Sequence, residues 1–223
     1  MKNDVEGILW DLDGTLVDTK ALHFASWHEA LTTVGIDLDH ATFEQCFGRN
    51  NSYSLPRYLG YTPSKEQFDK ISGLKEEIFL QGAKRGARLF PGVRQWLDFF
   101  QERHFSQAIA SSAPMCNIDT LIDACDISAY FSAIIPGADL PSKPAPDVFL
   151  KAAHALGIAA ENCIVIEDAP AGLQAGRSAG MKTIGVANSH PIDRLVADLV
   201  VPGFMADPEM AISSLGLNWA GSL

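Results

Sequence analysis

Ile8-Leu9-Trp10-Asp11-Leu12-Asp13-Gly14-Thr15 is the stretch that decides the fold of this chain. Residues 5–10 form an apolar run with the length of a buried strand, and Asp11 follows it directly. Open parallel sheets bind ligands at the carboxyl ends of their strands, so Asp11 is expected at a ligand crevice. Gly14 allows a tight turn in which backbone N–H groups approach an anion closely. Asp and Gly are also common turn residues, so the motif alone is equally compatible with an ordinary strand-ending turn.

Further apolar strands follow along the chain, and helical segments alternate with them. The expected strands cover residues 107–110, 133–135, 163–166, 183–186 and 199–201. Helices are expected from residue 93 and over residues 117–124, 149–156 and 171–179. Apolar strands that alternate with helices are typical of a parallel sheet covered on both faces. The sequence therefore predicts an α/β protein with a doubly wound parallel sheet.

The region between the first strand and residue 89 has no convincing strand. Apolar residues recur there at helical spacing after Asp18-Thr19, which is expected to cap a helix. Residues 43–47, 55–59 and 68–79 are further helical candidates, and Gly73 is expected to act as a break. We therefore predict a core domain of residues 1–16 and 89–223 that carries an inserted helical domain, residues 17–88.

Composition narrows the classes of partner. The 223 residues include 17 basic and 27 acidic side chains, a net charge of −10, which disfavours nucleic-acid binding. The acidic start of the chain and the lack of a long apolar run predict a cytoplasmic protein with no membrane partner. The sequence does not determine the oligomeric state, and a monomer is the default expectation. An acidic chain repels phosphate, so a phosphate site would need its own local positive charge.

Polar residues follow three of the expected strands: Asp11, Ser111 and Glu167-Asp168. Parallel strands place these ends at one edge of the sheet, and Lys143 lies in a loop that emerges at the same edge. Two like charges about 4 Å apart repel by roughly 4 kcal/mol at an effective dielectric of 20, so the carboxylates need cations. Lys143 supplies one charge, and an oxygen-rich site favours Mg²⁺ as the other.

Such a site suits a phosphoryl group. Asp11 is placed as a nucleophile that forms an aspartyl-phosphate, and Asp13 is placed to protonate the leaving oxygen and later deprotonate a water molecule. The N–H groups of the turn that ends at Gly14-Thr15 add to the positive field.

In this order the motifs resemble those of the haloacid dehalogenase superfamily, most of whose members are phosphatases. The resemblance covers nearly the whole chain and implies a Rossmann-like core with a helical cap inserted after the first strand. The resemblance implies that Asp11 is the nucleophile and Asp13 the acid/base. It implies that Mg²⁺ is held by Asp11, the Asp13 carbonyl and Asp168, with Glu167 near the metal. It also implies that Ser111, beside Ser112, binds the phosphoryl group and that Lys143 orients Asp11.

Within the superfamily, two segments are similar to the β-phosphoglucomutase-like branch: Asp18-Thr19-x-x-x-His23-x-x-x-Trp27 and Ser142-Lys143-Pro144-Ala145-Pro146-Asp147. His23 and Trp27 share a helix face, either towards substrate or as a surface histidine beside a core tryptophan. Lys75 matches a cap lysine of the branch, and a solvated helix charge is the alternative.

The cap departs from the branch at one position. Its mutases carry Gly-x-Ser-Arg, whose Arg grips the second phosphate of the bisphosphate intermediate, whereas this chain has Gly48-Arg49-Asn50-Asn51. Asn51 cannot replace a guanidinium, and Arg49 lies two residues early. We therefore predict a Mg²⁺-dependent phosphatase of a small phosphorylated metabolite, with a sugar phosphate favoured. The alternative is β-phosphoglucomutase itself, and a non-catalytic binding protein is disfavoured because Asp11 and Asp13 are both present.

Overall fold

The computed structural model describes residues 5–216, so the expectations for the first four residues lie outside the described part. One parallel sheet has the strand order β3-β2-β1-β4-β5-β6. Its strands are β1 Gly7–Trp10, β2 Ser106–Ser111, β3 Ala133–Pro136, β4 Cys163–Glu167, β5 Lys182–Val186 and β6 Leu199–Val201. This order is that of the Rossmann fold, and the predicted parallel α/β architecture is confirmed.

Strand β1 lies at the centre of the sheet, with β2 on one side and β4 on the other. Leu9 is opposite Ala108 of β2 and Val165 of β4. The strand order changes direction between β1 and β4, and ligands of open α/β sheets bind at that switch point. Asp11 and Glu167 lie at the carboxyl ends of these two strands, so the topology places both at the crevice.

The helices of the core cover both faces of the sheet. They are α5 Val93–Glu102, α6 Met115–Ala124, α7 Asp147–Leu156, α8 Pro170–Ser178 and α9 Pro208–Ser214, and the sequence pattern did not predict α9. Alternate strand residues point to opposite faces of the sheet. Trp10 therefore packs on one face, in the hydrophobic cluster that contains Trp96, and Leu9 packs on the other face, in the cluster that contains Phe149. Burial of each such side chain contributes roughly 1.5–3 kcal/mol.

Four helices lie between β1 and α5, and they form the cap. They are α1 Lys20–Thr32, α2 His40–Glu44, α3 Asn51–Leu59 and α4 Lys65–Gly86. A separate hydrophobic cluster, which includes Trp27, Phe43 and Leu55, holds them together. Val17 and Leu89 form a β-bridge where the chain enters and leaves the insert. The exact domain boundaries, between residues 16 and 17 and between residues 88 and 89, stay a prediction. Val17, the first residue assigned to the insert, packs in the main core.

Two local expectations are wrong. Gly73 does not break a helix, because α4 runs through it and buries Ile71, Lys75 and Phe79 at four-residue spacing; this packing outweighs a glycine penalty of about 1 kcal/mol. Thr19 is the first cap residue of α1, but its side chain makes no capping hydrogen bond. Its hydroxyl instead donates to Asp13. Within residues 5–216, no helix combines the length and apolar character that a bilayer crossing requires.

Candidate active site

A buried ion-pair cluster lies at the carboxyl ends of β1 and β4. Lys143 Nζ lies 2.6 Å from Asp11 Oδ1 and 2.8 Å from Glu167 Oε1, and it also donates to the Ala110 carbonyl at 3.3 Å. All three charged side chains are buried. The loop between β3 and α7 carries Lys143 back to this edge of the sheet. Removal of one partner from such a buried pair leaves an uncompensated charge, which is strongly destabilising.

Asp168 adds a third carboxylate to the cluster. Thr15 Oγ1 donates to Asp168 Oδ1 at 2.7 Å, whereas the buried Oδ2 has no hydrogen-bond partner within residues 5–216. Carboxylate oxygens of Asp11, Glu167 and Asp168 lie within 4.8 Å of one another. Three carboxylates therefore face the single positive charge of Lys143. An unpartnered buried carboxylate oxygen is costly, so this oxygen-only donor set fits a divalent cation.

The pKa values of these groups reflect that imbalance of charge. Burial raises the pKa of Asp11 well above its usual value, Glu167 and Asp168 raise it further, and Lys143 opposes the rise. Burial and the neighbouring Glu167 raise the pKa of Asp168 to about 7. Burial alone would lower the pKa of Lys143, but Asp11 and Glu167 raise it above its usual value, so the lysine stays protonated.

Asp13 is held by a different set of partners. Its Oδ1 accepts a hydrogen bond from Thr19 Oγ1 at 2.8 Å and lies 2.8 Å from His23 Nε2. Ser111 Oγ makes a longer contact of 3.5 Å with Oδ2. Burial would raise the pKa of Asp13, but His23 and Thr19 lower it below its usual value. Its carboxylate is not part of the three-carboxylate cluster, so the predicted metal role of Asp13 rests on its carbonyl group.

The turn after Asp13 is tightly packed against this cluster. Gly14 has φ +87°, and a Cβ atom there would lie 2.6 Å from Asp168 Oδ2 and 2.6 Å from Ser189 Oγ. Only glycine fits this position without displacement of its neighbours. The Gly14 N–H donates to the Val17 carbonyl at 2.9 Å, so it closes the turn itself.

A cavity lies between the cap and the carboxyl edge of the sheet. Its volume is about 40 Å³, enough for a few water molecules and far below the roughly 300–1,000 Å³ of ligand pockets. Its lining includes these predicted site residues: Asp11, Asp13, His23, Trp27, Arg49, Asn51, Lys75, Ser111 and Ser112. Gly14, Thr15, Lys143, Glu167 and Asp168 are not among the residues that line it. The cap therefore packs against this edge of the sheet, and both parts of the chain contribute residues to the lining of the small cavity between them.

The model of the haloacid dehalogenase-like hydrolase family matches residues 8–186. The chain belongs to this family of hydrolases. The β-phosphoglucomutase of Bacillus subtilis is 31% identical over 88% of this chain and 89% of its own length. The phosphorylated carbohydrates phosphatase of Thermotoga maritima is 28% identical over 83% of this chain and 87% of its own length. The β-phosphoglucomutase structure from Clostridium difficile has a TM-score of 0.86 and 27% identity, and the match covers 95% of this chain and 97% of that one. The resemblance stated from the motifs is thereby confirmed.

In this haloacid dehalogenase-like hydrolase, the cap residues lie in an aromatic environment. His23 stacks on Phe79 at 4.2 Å between ring centroids while its Nε2 faces Asp13, so it is not a surface histidine. Trp27 packs edge-on against Tyr58. Lys75 is 2% exposed and lies 5.4 Å from the Trp27 ring. The alternative of a solvated Lys75 is therefore wrong.

The remaining predicted cap and loop residues make contacts within the protein. The Arg49 guanidinium lies 4.3 Å from the centre of the Tyr53 ring. Asn51 Nδ2 donates to Glu76 Oε1 at 2.7 Å. Ser112 Oγ donates to the Gly48 carbonyl of the cap at 2.9 Å, so its hydroxyl joins the core to the cap.

Sequence reasoning missed several residues of the hydrolase's site. Asn50 Nδ2 donates from the cap to the Leu140 carbonyl of the core at 2.9 Å, and Asn117 Nδ2 donates from α6 to Glu76 Oε2 at 2.6 Å. Neither residue belongs to a motif that signals these partners. Asn188 donates to the Thr15 carbonyl at 3.0 Å. Its position after β5 was a usable signal, because the end of β5 lies at the same edge of the sheet.

Proposed function

We propose that this hydrolase is a Mg²⁺-dependent phosphatase of a small phosphorylated metabolite and acts through an aspartyl-phosphate on Asp11. The observation that carries this proposal is the buried cluster of Asp11, Glu167 and Asp168, whose three carboxylates have Lys143 as their one ion-pair partner within residues 5–216. A sugar phosphate is the favoured substrate class, and the name of the Thermotoga maritima relative, a phosphorylated carbohydrates phosphatase, supports it.

The metal would be held by the carboxylates of Asp11 and Asp168 and the carbonyl of Asp13, with Glu167 beside it. The unpartnered Oδ2 of Asp168 supports this assignment, because it is a buried oxygen that lacks a positive partner. Mg²⁺ is favoured over zinc because every donor is an oxygen. When bound, Mg²⁺ supplies positive charge that offsets the phosphoryl oxygens.

The residues have complementary roles in the proposed reaction. Asp11 attacks phosphorus, the bond to the leaving oxygen breaks, and that oxygen takes a proton from the Asp13–His23 pair. Water then attacks phosphorus and returns a proton to the Asp13–His23 pair, and the bond between phosphorus and Asp11 breaks, so that phosphate and the Asp11 carboxylate are released. Lys143 orients Asp11 through their contact of 2.6 Å. Ser111 binds a phosphoryl oxygen.

A panel of sugar phosphates, incubated with Mg²⁺ or with a chelator, tests this proposal through the release of inorganic phosphate. We expect release that requires Mg²⁺ and is restored when the metal is added back. Release that the chelator leaves unchanged would contradict the role of the metal, and no release from any ester would contradict the phosphatase.

The similarity to two β-phosphoglucomutases keeps that isomerase as the second candidate. A mutase must hold the second phosphate of its intermediate. In this chain, the two residues that could do so already have partners within the protein. The side chain of Asn51 donates a hydrogen bond to Glu76, and the guanidinium of Arg49 stacks on the ring of Tyr53. Incubation with β-glucose 1-phosphate separates the candidates, because glucose 6-phosphate that forms faster than free phosphate identifies the mutase.

A further inference from the structure

The carboxylate of Glu76 lies at the cap end of the cavity, where hydrogen-bond donors from three helices converge on it. Asn51 Nδ2 of α3 donates to Oε1 at 2.7 Å, and Asn117 Nδ2 of α6 donates to Oε2 at 2.6 Å. Lys75 Nζ of α4 lies 3.0 and 3.1 Å from the two oxygens. An ammonium and two amides grouped in this way are donors suited to an anion. Here a side chain of the protein occupies them.

Burial makes this arrangement more than a surface ion pair. The side chain of Lys75 is 3% exposed and that of Glu76 is 15% exposed. Both residues line the same cavity as Asp11 and Asp13. The two charges cancel, so the lysine adds no net positive charge to the cap end. The donors of Asn51 and Asn117 are likewise used by the carboxylate.

The position of Glu76 is also tied to closure of the cap. Glu76 belongs to the cap and Asn117 to the core, so their hydrogen bond spans the boundary between the two parts. The carboxylate is therefore fixed at the cap end when the cap is closed on the core.

We propose that Glu76 is a specificity-determining residue that excludes a second phosphate from the cap end of the site. Its carboxylate acts as a built-in anion on the donors of Asn51, Lys75 and Asn117, so these donors and the Lys75 charge are not available to a second anionic group of the ligand. Substrates are thereby restricted to monophosphates whose far end carries hydroxyl groups. This inference rests on the proposed phosphatase function, and it adds a reason for phosphatase rather than mutase activity.

The test compares Glu76→Gln with Glu77→Gln. Glu77 is the next residue of α4 and is exposed, so its substitution removes the same charge from the same helix outside the cavity. Both changes are made in an Asp11→Asn background to prevent turnover. Calorimetry with Mg²⁺ at constant ionic strength then gives the affinities for glucose 6-phosphate and glucose 1,6-bisphosphate, which differ only in the second phosphate.

We expect Glu76→Gln to raise the affinity for the bisphosphate relative to the monophosphate by about tenfold, since the positive charge of Lys75 is then no longer balanced. Glu77→Gln leaves this ratio within about twofold of the parent protein, as a screened surface charge should. Lys75→Met, which leaves the Glu76 charge unbalanced, shifts the ratio in the opposite direction and provides the test if Glu76→Gln does not fold.

Three results would overturn the inference: an unchanged ratio in Glu76→Gln, an equal shift in Glu77→Gln, or no binding of either probe to any of the proteins. The proposed phosphatase function is tested separately: it would be contradicted if the wild-type protein released no phosphate from any ester of the panel.

Discussion

Lys75 lines the cap end of the cavity and Lys143 lies behind Asp11 at the core end, and the charges of these two buried lysines are balanced differently. At the core end, Lys143 faces Asp11 and Glu167 directly, and Asp168 adds a third carboxylate. At the cap end, Lys75 faces the single carboxylate of Glu76, whose remaining hydrogen bonds come from neutral amides. The core end is therefore short of positive charge and suits a metal and phosphoryl chemistry. At the cap end the charges of Lys75 and Glu76 balance each other, and the guanidinium of Arg49, which also lines the cavity, stacks on Tyr53.

The largest effect should follow from Asp11→Asn, because the proposed nucleophile lies only at the core end. We expect turnover to fall by about three orders of magnitude or more, as is found when a nucleophile is removed. The fold should remain, since the substitution is isosteric. Steady-state kinetics and circular dichroism measure the two effects. Retained turnover would mean that the core end does not perform the chemistry.

The lysines provide the next comparison. Lys143→Met leaves Asp11 and Glu167 buried without their partner, and we expect a loss of about 3–5 kcal/mol in the free energy of unfolding. Lys75→Met leaves the Glu76 carboxylate with its two amide donors, so we expect the free energy of unfolding to fall by only about 1–3 kcal/mol. Lys182→Met is the control, because it removes a solvent-exposed pair with Asp198 and should cost less than about 1 kcal/mol. Urea unfolding without metal measures all three, and equal losses for Lys143 and Lys75 would contradict the difference between the two ends.

Acidity should affect metal binding at the core end. With the pKa of Asp168 raised to about 7, the metal-free carboxyl gains a proton as the pH falls below that value. Protons then compete with Mg²⁺, so the apparent metal affinity should fall by up to about tenfold per pH unit for this group. The stability of the metal-free protein has the opposite trend. In the unfolded chain the Asp168 carboxyl titrates near pH 4, so the folded state holds its proton more tightly. The contribution of Asp168 to the free energy of unfolding is therefore largest below pH 4 and is lost as the pH rises to about 7.

Calorimetric titration with Mg²⁺ from pH 5.5 to 8 measures the competition with protons. An Asp168→Asn variant is the control, because it lacks the titrating group and should bind weakly with a flatter pH profile. An affinity that does not depend on pH in the wild-type protein would show that this cluster does not hold the ion.

The smallest effect should come from the contacts that hold the cap on the core. Asn50→Ala removes hydrogen bonds to the Gly137 and Leu140 carbonyls of the core, which weakens the closed arrangement. We expect the KM for a sugar phosphate to rise about threefold to tenfold, which corresponds to the roughly 1 kcal/mol of a typical hydrogen bond. Asn162→Ala is the control, because its side chain bonds Glu6 and is not among the residues that line the cavity. An equal change in both variants would assign the effect to general stability.

The core end was largely predictable from the sequence because its residues follow strands. Periodicity and apolar runs locate β1, β2 and β4, and parallel pairing places Asp11, Ser111 and Glu167-Asp168 at one edge whatever the strand order. The family model of the haloacid dehalogenase-like hydrolases matches residues 8–186, a range that contains all of these residues. The helix α9 was missed because it is short, although Asp207 and Pro208 at its start are a usable local signal.

The sequence by itself therefore determined the α/β core, the inserted helices and the order of the polar residues at the carboxyl edge, because each depends on local patterns and on the direction of parallel strands. Only the tertiary structure decided which partners the side chains have. Thr19 bonds Asp13 rather than capping its own helix, and Asn117 reaches a glutamate 41 residues away. A polar side chain with several available partners is assigned by the packing of whole helices, and that packing brings together residues that no local pattern connects.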